Sequence, residues 1–230
     1  MFRATLALLA FSVAASASTI TYNTVSGAQD AASDSVDASA TIVINGTTVT
    51  VTLNNLQSGI ANAGQTLSDL FFTLSATPTT ALSTTTTPTG PLVTVAAGGV
   101  ETTSNAAIDA WVLTSAGAII HIDSLAGSGP SETIIGPTPS SSVNSSITGS
   151  THNPFFNQQA VFTFTVAGIN SDTTVTAAQF SFGTDAGDNV NGCIVGAAAC
   201  TPSVPEPVSS ALVGTGLVSL FFLRRRFVRS

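Results

Sequence analysis

Few side chains in this 230-residue chain could do chemistry, and their types narrow the choices. There are two histidines, His121 and His152, two cysteines, Cys193 and Cys200, and twelve carboxylates. Nucleophilic catalysis needs a Ser or Cys beside a base that a third group orients. Only the two histidines could be that base, and no G-x-S-x-G elbow accompanies them. His121 alternates within Ile119-Ile120-His121-Ile122 and is expected to point outward from a strand, while His152-Asn153-Pro154 reads as a turn before a strand. No catalytic residue is therefore assigned, and the chain is not expected to be an enzyme.

Paired carboxylates could hydrolyse a glycoside if two of them stood about 5 Å or about 6.5–9.5 Å apart. The aromatic residues that would grip a sugar are needed for the core, so a solvated acidic surface is the expected use of the acids. Two clusters are candidate calcium ligands: Asp185, Asp188 and Asn189 in a Gly-rich turn, and Asp30, Asp34 and Asp37. Hard oxygen ligands suit Ca²⁺, and the ion would offset negative charge, yet neither cluster matches the EF-hand loop. Exposed turn carboxylates with no cofactor are the expected reading, with calcium as the alternative.

The charge distribution excludes several function classes. All five basic residues, Arg3, Arg224, Arg225, Arg226 and Arg229, lie near a terminus, and lysine is absent. From Ser18 to Val204 there are eleven carboxylates and no Lys or Arg, a formal charge of −11. Such a segment offers no cationic groove for phosphates, so no nucleic-acid partner is expected.

The elements that must position these groups read as strands. In Ser39 to Leu53, Asn45-Gly46 predicts a type I′ hairpin in which Ile44, Ile42 and Ala40 face Thr47, Val49 and Val51. One face of that hairpin is apolar and the other is largely hydroxyl. Strand-like runs follow at Leu67 to Ser75, Trp111 to Leu113, Ile119 to Ile122, Ala160 to Val166 and Val175 to Phe182. Two low-complexity stretches, Thr77 to Pro91 and Gly136 to Ser150, are expected to loop out on the surface. The fold class expected is all-β, an antiparallel β-sandwich over residues 18–203.

Both ends carry targeting features. Arg3, the apolar run Ala4 to Val13 and Ala15-Ser16-Ala17 read as a signal peptide over residues 1–17, cleaved after Ala17. Residues 204–230 hold Pro205-Glu206-Pro207, then an apolar run from Val208 to Leu223, then Arg224-Arg225-Arg226. Sixteen residues rise about 24 Å as a helix against a hydrocarbon core of about 30 Å, and the basic tail is expected on the cytoplasmic side.

Together these residues resemble the PEP-CTERM sorting signal of Gram-negative bacteria, with Pro205, Glu206 and Pro207 as the motif. The phrases Asp69-Leu70-Phe71-Phe72-Thr73-Leu74-Ser75 and Phe180-Ser181-Phe182-Gly183-Thr184 are also similar to ones in such ectodomains. The resemblance implies signal peptidase and an exosortase as processing partners. It further implies export, transient residence in the inner membrane through the C-terminal transmembrane helix, and delivery to the cell surface or extracellular matrix. Members of the family are linked to exopolysaccharide and biofilm, so a structural or adhesive role with a matrix polymer as partner is the expected function. A carbohydrate-binding module or glycan-active enzyme on the same surface is the alternative, marked by Trp111 standing exposed in a groove beside acids.

Export also bears on the cysteines. An oxidising compartment favours a disulfide between Cys193 and Cys200. Closing that short loop stabilises the fold by about 2.5 kcal/mol, less any strain.

Overall fold

The computed structural model describes residues 17–126, 132–184 and 187–197. The sorting motif Pro205, Glu206 and Pro207, the basic tail Arg224, Arg225 and Arg226, Ala15 of the signal, Cys200 and Asp185 lie outside the described residues. No helix among the described residues is long and apolar enough to cross a membrane.

The described chain is all-β. Its strands are β1 (Ser18–Thr24), β2 (Ala38–Asn45), β3 (Thr48–Asn55), β4 (Leu67–Leu74), β5 (Ser83–Thr86), β6 (Leu92–Ala96) and β7 (Val100–Ser104). They continue with β8 (Trp111–Ala116), β9 (Ile119–Asp123), β10 (Ile134–Ile135), β11 (Phe155–Asn157), β12 (Gln159–Thr165), β13 (Val175–Phe182) and β14 (Asn189–Ile194). A single turn of helix, α1 (Ser145–Thr148), precedes β11.

All strands join one sheet in the order β12-β3-β2-β1-β14-β13-β4, which forks at β4. One edge of β4 is taken by β13 along its length. The other edge is shared: Leu67 pairs with Ile134 of β10, and Asp69 to Thr73 pair with β9. From β9 the sheet runs on to β8 and β5, and from β10 to β11, β6 and β7. The β10–β11 pair is parallel, and every other pair of named strands is antiparallel. The sheet is therefore mixed rather than purely antiparallel.

Period-two alternation explains which way each strand faces. In β2 and β3 the pairs Ala40–Leu53, Ile42–Val51 and Ile44–Val49 are all buried, while Thr41 and Thr52 form the opposite face. The inner side of β12 then lies against that of β8, where the Trp111 and Phe162 ring centroids stand 5.0 Å apart. Trp111 is only 2% exposed, and Phe72, Phe162, Phe180 and Phe182 are equally enclosed. A second, smaller core gathers Ile60, Val93, Val95, Ile135, Ile147 and Phe155 around β6, β10, β11 and α1.

The hairpin faces are as expected, but its register differs. Ile44 meets Val49, not Thr47, and the two loop residues are Gly46 and Thr47. Gly46 alone of the two has a positive φ, at 61°, while Asn45 stays in the strand opposite Thr48. A glycine first in a two-residue loop is the type II′ pattern, which needs positive φ at one position rather than two.

The low-complexity stretches are also corrected. Thr77 to Pro91 contributes β5, which pairs with β8, and Thr86 is buried. Gly136 to Ser150 contributes α1, whose Ile147 fills the smaller core. Gly136 passes so close to the backbone of Gln57 that a Cβ would stand 1.9 Å from its carbonyl oxygen. Hydroxyl-rich composition predicted solvation, but intermittent apolar residues are enough to pin these stretches down.

Candidate functional site

Two consecutive cross-strand pairs on the outer face of β4 and β9 bring the scarce functional groups together: Phe71 opposite His121, and Asp69 opposite Asp123. Alternation sets this, because Leu70, Phe72, Ile120 and Ile122 point into the core and turn the intervening residues outward. A bulge sharpens it. Ser181 pairs with Asp69 but Phe182 pairs with Leu67, leaving Ser68 as the extra residue in β4. Leu67 and Leu70, three positions apart, both reach the main core as a result. Asp69 follows the bulge directly and is only 3% exposed despite facing outward.

His121 Nε2 stands 3.9 Å from Asp69 Oδ2 and 3.9 Å from Asp123 Oδ2. Those spacings are too long for hydrogen bonds but well within electrostatic reach. Each of the three residues offers a donor atom within 4.8 Å of the other two. Side-chain exposure rises from 5% at Asp69 through 14% at Asp123 to 22% at His121, so the group opens outward on the histidine side.

The surroundings hold two of the three side chains in place. Phe71 stacks on the imidazole with ring centroids 3.7 Å apart and planes 9° from parallel. Asp123 Oδ1 accepts hydrogen bonds from the Leu125 and Ala126 backbone N–H groups, at 2.6 and 3.2 Å. Asp69 Oδ1 and His121 Nε2 are buried and make no hydrogen bond.

Burial pushes the Asp69 carboxyl up to about 6; His121 draws it down and Asp123 drives it up. With no Lys or Arg between Ser18 and Val204, the charge can be neutralised by protonation of Asp69 itself, by a protonated His121 or by a bound cation. The arrangement can therefore share a proton among its members or hold a divalent cation.

The two acidic clusters are partly merged by the fold. Asp188 accepts the Ala31 backbone N–H with both carboxylate oxygens at 2.9 Å, which brings it to the Asp30 loop. Asp30 Oδ1 accepts the Asp34 N–H, Asp34 Oδ2 accepts from Asn62 Nδ2, and Asp37 Oδ1 accepts the Thr24 hydroxyl. Asn189 is bonded instead to the Ser181 hydroxyl within the sheet. These carboxylates serve as acceptors that hold loops. Burial raises the Asp30 pKa, the Asp34 N–H lowers it, and the charges of Asp34 and Asp188 raise it further.

Elsewhere, Cys193 in β14 is disulfide-bonded. His152 lies in the turn before the Asn153-Pro154 peptide and β11, as its sequence context predicts, and no described acid joins it in a metal-type cluster.

Sequence reasoning placed His121 outward but counted Asp69 and Asp123 only as part of the acidic surface. A signal was available, because His121 and Asp123 stand two apart in a strand and so share a face. Asp69 could join them only once β4 was known to pair with β9.

Compared with protein-family models, curated proteins and solved structures, the chain finds no match.

Proposed function

We propose that the chain is an exported surface or extracellular-matrix protein, sorted by an exosortase through Pro205-Glu206-Pro207, and structural or adhesive rather than catalytic. Its ectodomain is an antiparallel-type sandwich formed where the sheet turns back on itself. The observation that carries the reading is the fate of the aromatics: Trp111 is 2% exposed, packed on Phe162, and so forms no platform beside acids. Phe71, on the outer face, is occupied by His121.

The outer face of β1, β2, β3 and β12 is largely hydroxyl and amide. Thr21 and Thr41 share a hydrogen bond, Asn54 donates to Ser39, and Gln159 donates to Asn54 across the β1, β2, β3 and β12 ladders. Such a face suits hydrogen bonding to a hydrated polymer such as exopolysaccharide. β1 begins at Ser18, the first residue left by cleavage after Ala17, so removal of the signal would spare the whole sheet.

The glycan-active alternative draws on the nearness of Asp69 and Asp123. It requires both acids to reach a sugar, and Asp69 is only 3% exposed.

The test is intact mass and cell fraction in a host with and without its exosortase, beside a variant with Pro205, Glu206 and Pro207 all replaced by alanine. Loss of the C-terminal segment and release to the surface only when enzyme and motif are both intact is the expected result. Retention of the unprocessed chain in the membrane under every condition overturns the reading.

A further inference from the structure

We propose that Asp69, His121 and Asp123 bind one first-row divalent metal ion of the zinc class, through one imidazole nitrogen and an oxygen from each carboxylate. Three donors within 4.8 Å of one another would be weak grounds alone, since acids cluster on many surfaces. Here the atoms of Asp69 and His121 that face inward lack other employment. The Asp69 side chain is 5% exposed and directed at His121 Nε2, its Oδ1 makes no hydrogen bond, and Nε2 makes none either. A buried carboxylate and a buried ring nitrogen left in this way cost stability, and a cation held between Asp69 Oδ2 and His121 Nε2 satisfies the nitrogen and neutralises the carboxylate.

The distances suit such an ion. Donors held at about 2.0–2.2 Å from a tetrahedral centre stand roughly 3.3–3.6 Å apart. The 3.9 Å separations from Nε2 to each carboxylate need contract by only a few tenths of an ångström, within the reach of small χ rotations.

The donor set decides the metal class. Ca²⁺ takes six to eight oxygens and Mg²⁺ keeps most of its waters. One imidazole with two carboxylates suits Zn²⁺, Co²⁺, Ni²⁺ or Mn²⁺, ranked among themselves by the usual affinity order. Three protein ligands also leave a coordination position open. Phe71 acts as a positioning residue that fixes the plane of the imidazole. Both ligating strands are held by a continuous five-pair ladder from Asp69–Asp123 to Thr73–Ile119, so the donors rest on rigid elements.

The test is calorimetric titration of the chelator-treated full chain with Zn²⁺, with Ca²⁺ as competitor, and a Co²⁺ absorption spectrum of the same protein. Expected are one saturable site, visible Co²⁺ bands of imidazole-containing low-symmetry coordination, and little displacement by excess Ca²⁺. Asp69→Asn and His121→Gln should each weaken Zn²⁺ binding by at least about tenfold, whereas His152→Ala should leave it unchanged. The absence of a saturable site, undiminished binding in His121→Gln, or competition by Ca²⁺ on equal terms overturns the proposal. The intensity of the wild-type Co²⁺ bands separates a low-coordinate protein site from hydrated Co²⁺, so the outcome stands even if a variant fails to fold.

Discussion

Phe71 and His121 lie nearly parallel at 3.7 Å across the β4–β9 ladder, each the other's direct partner in the pairing register. The contact joins an apolar ring to the most exposed member of the Asp69 group and restricts the rotation of the imidazole. Phe71→Ala should lower unfolding stability by about 1–2 kcal/mol, the value of a stacked pair plus its partial burial. It should also weaken Zn²⁺ binding less than loss of a ligand does. Urea denaturation and the same metal titration measure both effects.

Asp69 makes the metal-free protein sensitive to pH in a direction opposite to the common carboxylate. Its folded pKa is raised from 3.8 to about 6, so folding favours the protonated acid. The associated stability is fully present below pH of about 4 and is lost as pH rises through about 6. A rise of that size corresponds to roughly 3 kcal/mol. In chelator, unfolding free energies at pH 4 and pH 7.5 should show that decline in the wild-type chain and a smaller one in Asp69→Asn. Equal pH dependence in the two proteins would contradict the assignment.

Asn153 acts as an extra rung beside β6. Its Oδ1 accepts the Val95 N–H at 2.8 Å, and its Nδ2 donates to the carbonyls of Val95, Ile147 and Gly149 at 3.2, 2.8 and 3.2 Å. Asn153→Ala should cost about 2–4 kcal/mol, because the Val95 backbone loses both partners at once. A fall in the urea midpoint without a change in slope is the expected readout.

The β2–β3 turn separates two neighbouring residues that look alike in sequence logic. Gly46 holds φ at 61°, so Gly46→Ala should cost about 1 kcal/mol or more. Asn45 is extended and exposed in the strand, so Asn45→Thr should change stability by less than about 0.5 kcal/mol. Thermal denaturation of the two variants distinguishes this register from one centred on Asn45-Gly46.

The strands legible beforehand were those rich in aromatic and β-branched residues that reach the main core. Val175 to Phe182 forms β13 with those bounds, and the runs around Leu67, Trp111, Ile119 and Ala160 form β4, β8, β9 and β12 with ends moved by a few residues. β6, β10 and β11 were not read, being short and built into the smaller core, where partners rather than pattern decide the conformation. The candidate site was half legible. The spacing of His121 and Asp123 is local, whereas Asp69 lies 52 residues before His121 and meets it only through strand pairing that one sequence does not encode in any short window. The bulge at Ser68, which sets how deeply Asp69 sits, leaves no mark in composition at all.

β14, the last strand of the described chain, is hydrogen-bonded to β1 on one edge and β13 on the other, and β1 is itself flanked by β2. Mechanically, a pull along the chain beyond Ile194 would therefore enter through an interior strand and load two ladders in shear. An edge strand such as β7 would instead give way one bond at a time, like a zip. Were the domain tethered through its C-terminal end, as the proposed sorting requires, that placement would spread drag across the middle of the sheet and keep the margins out of the line of force.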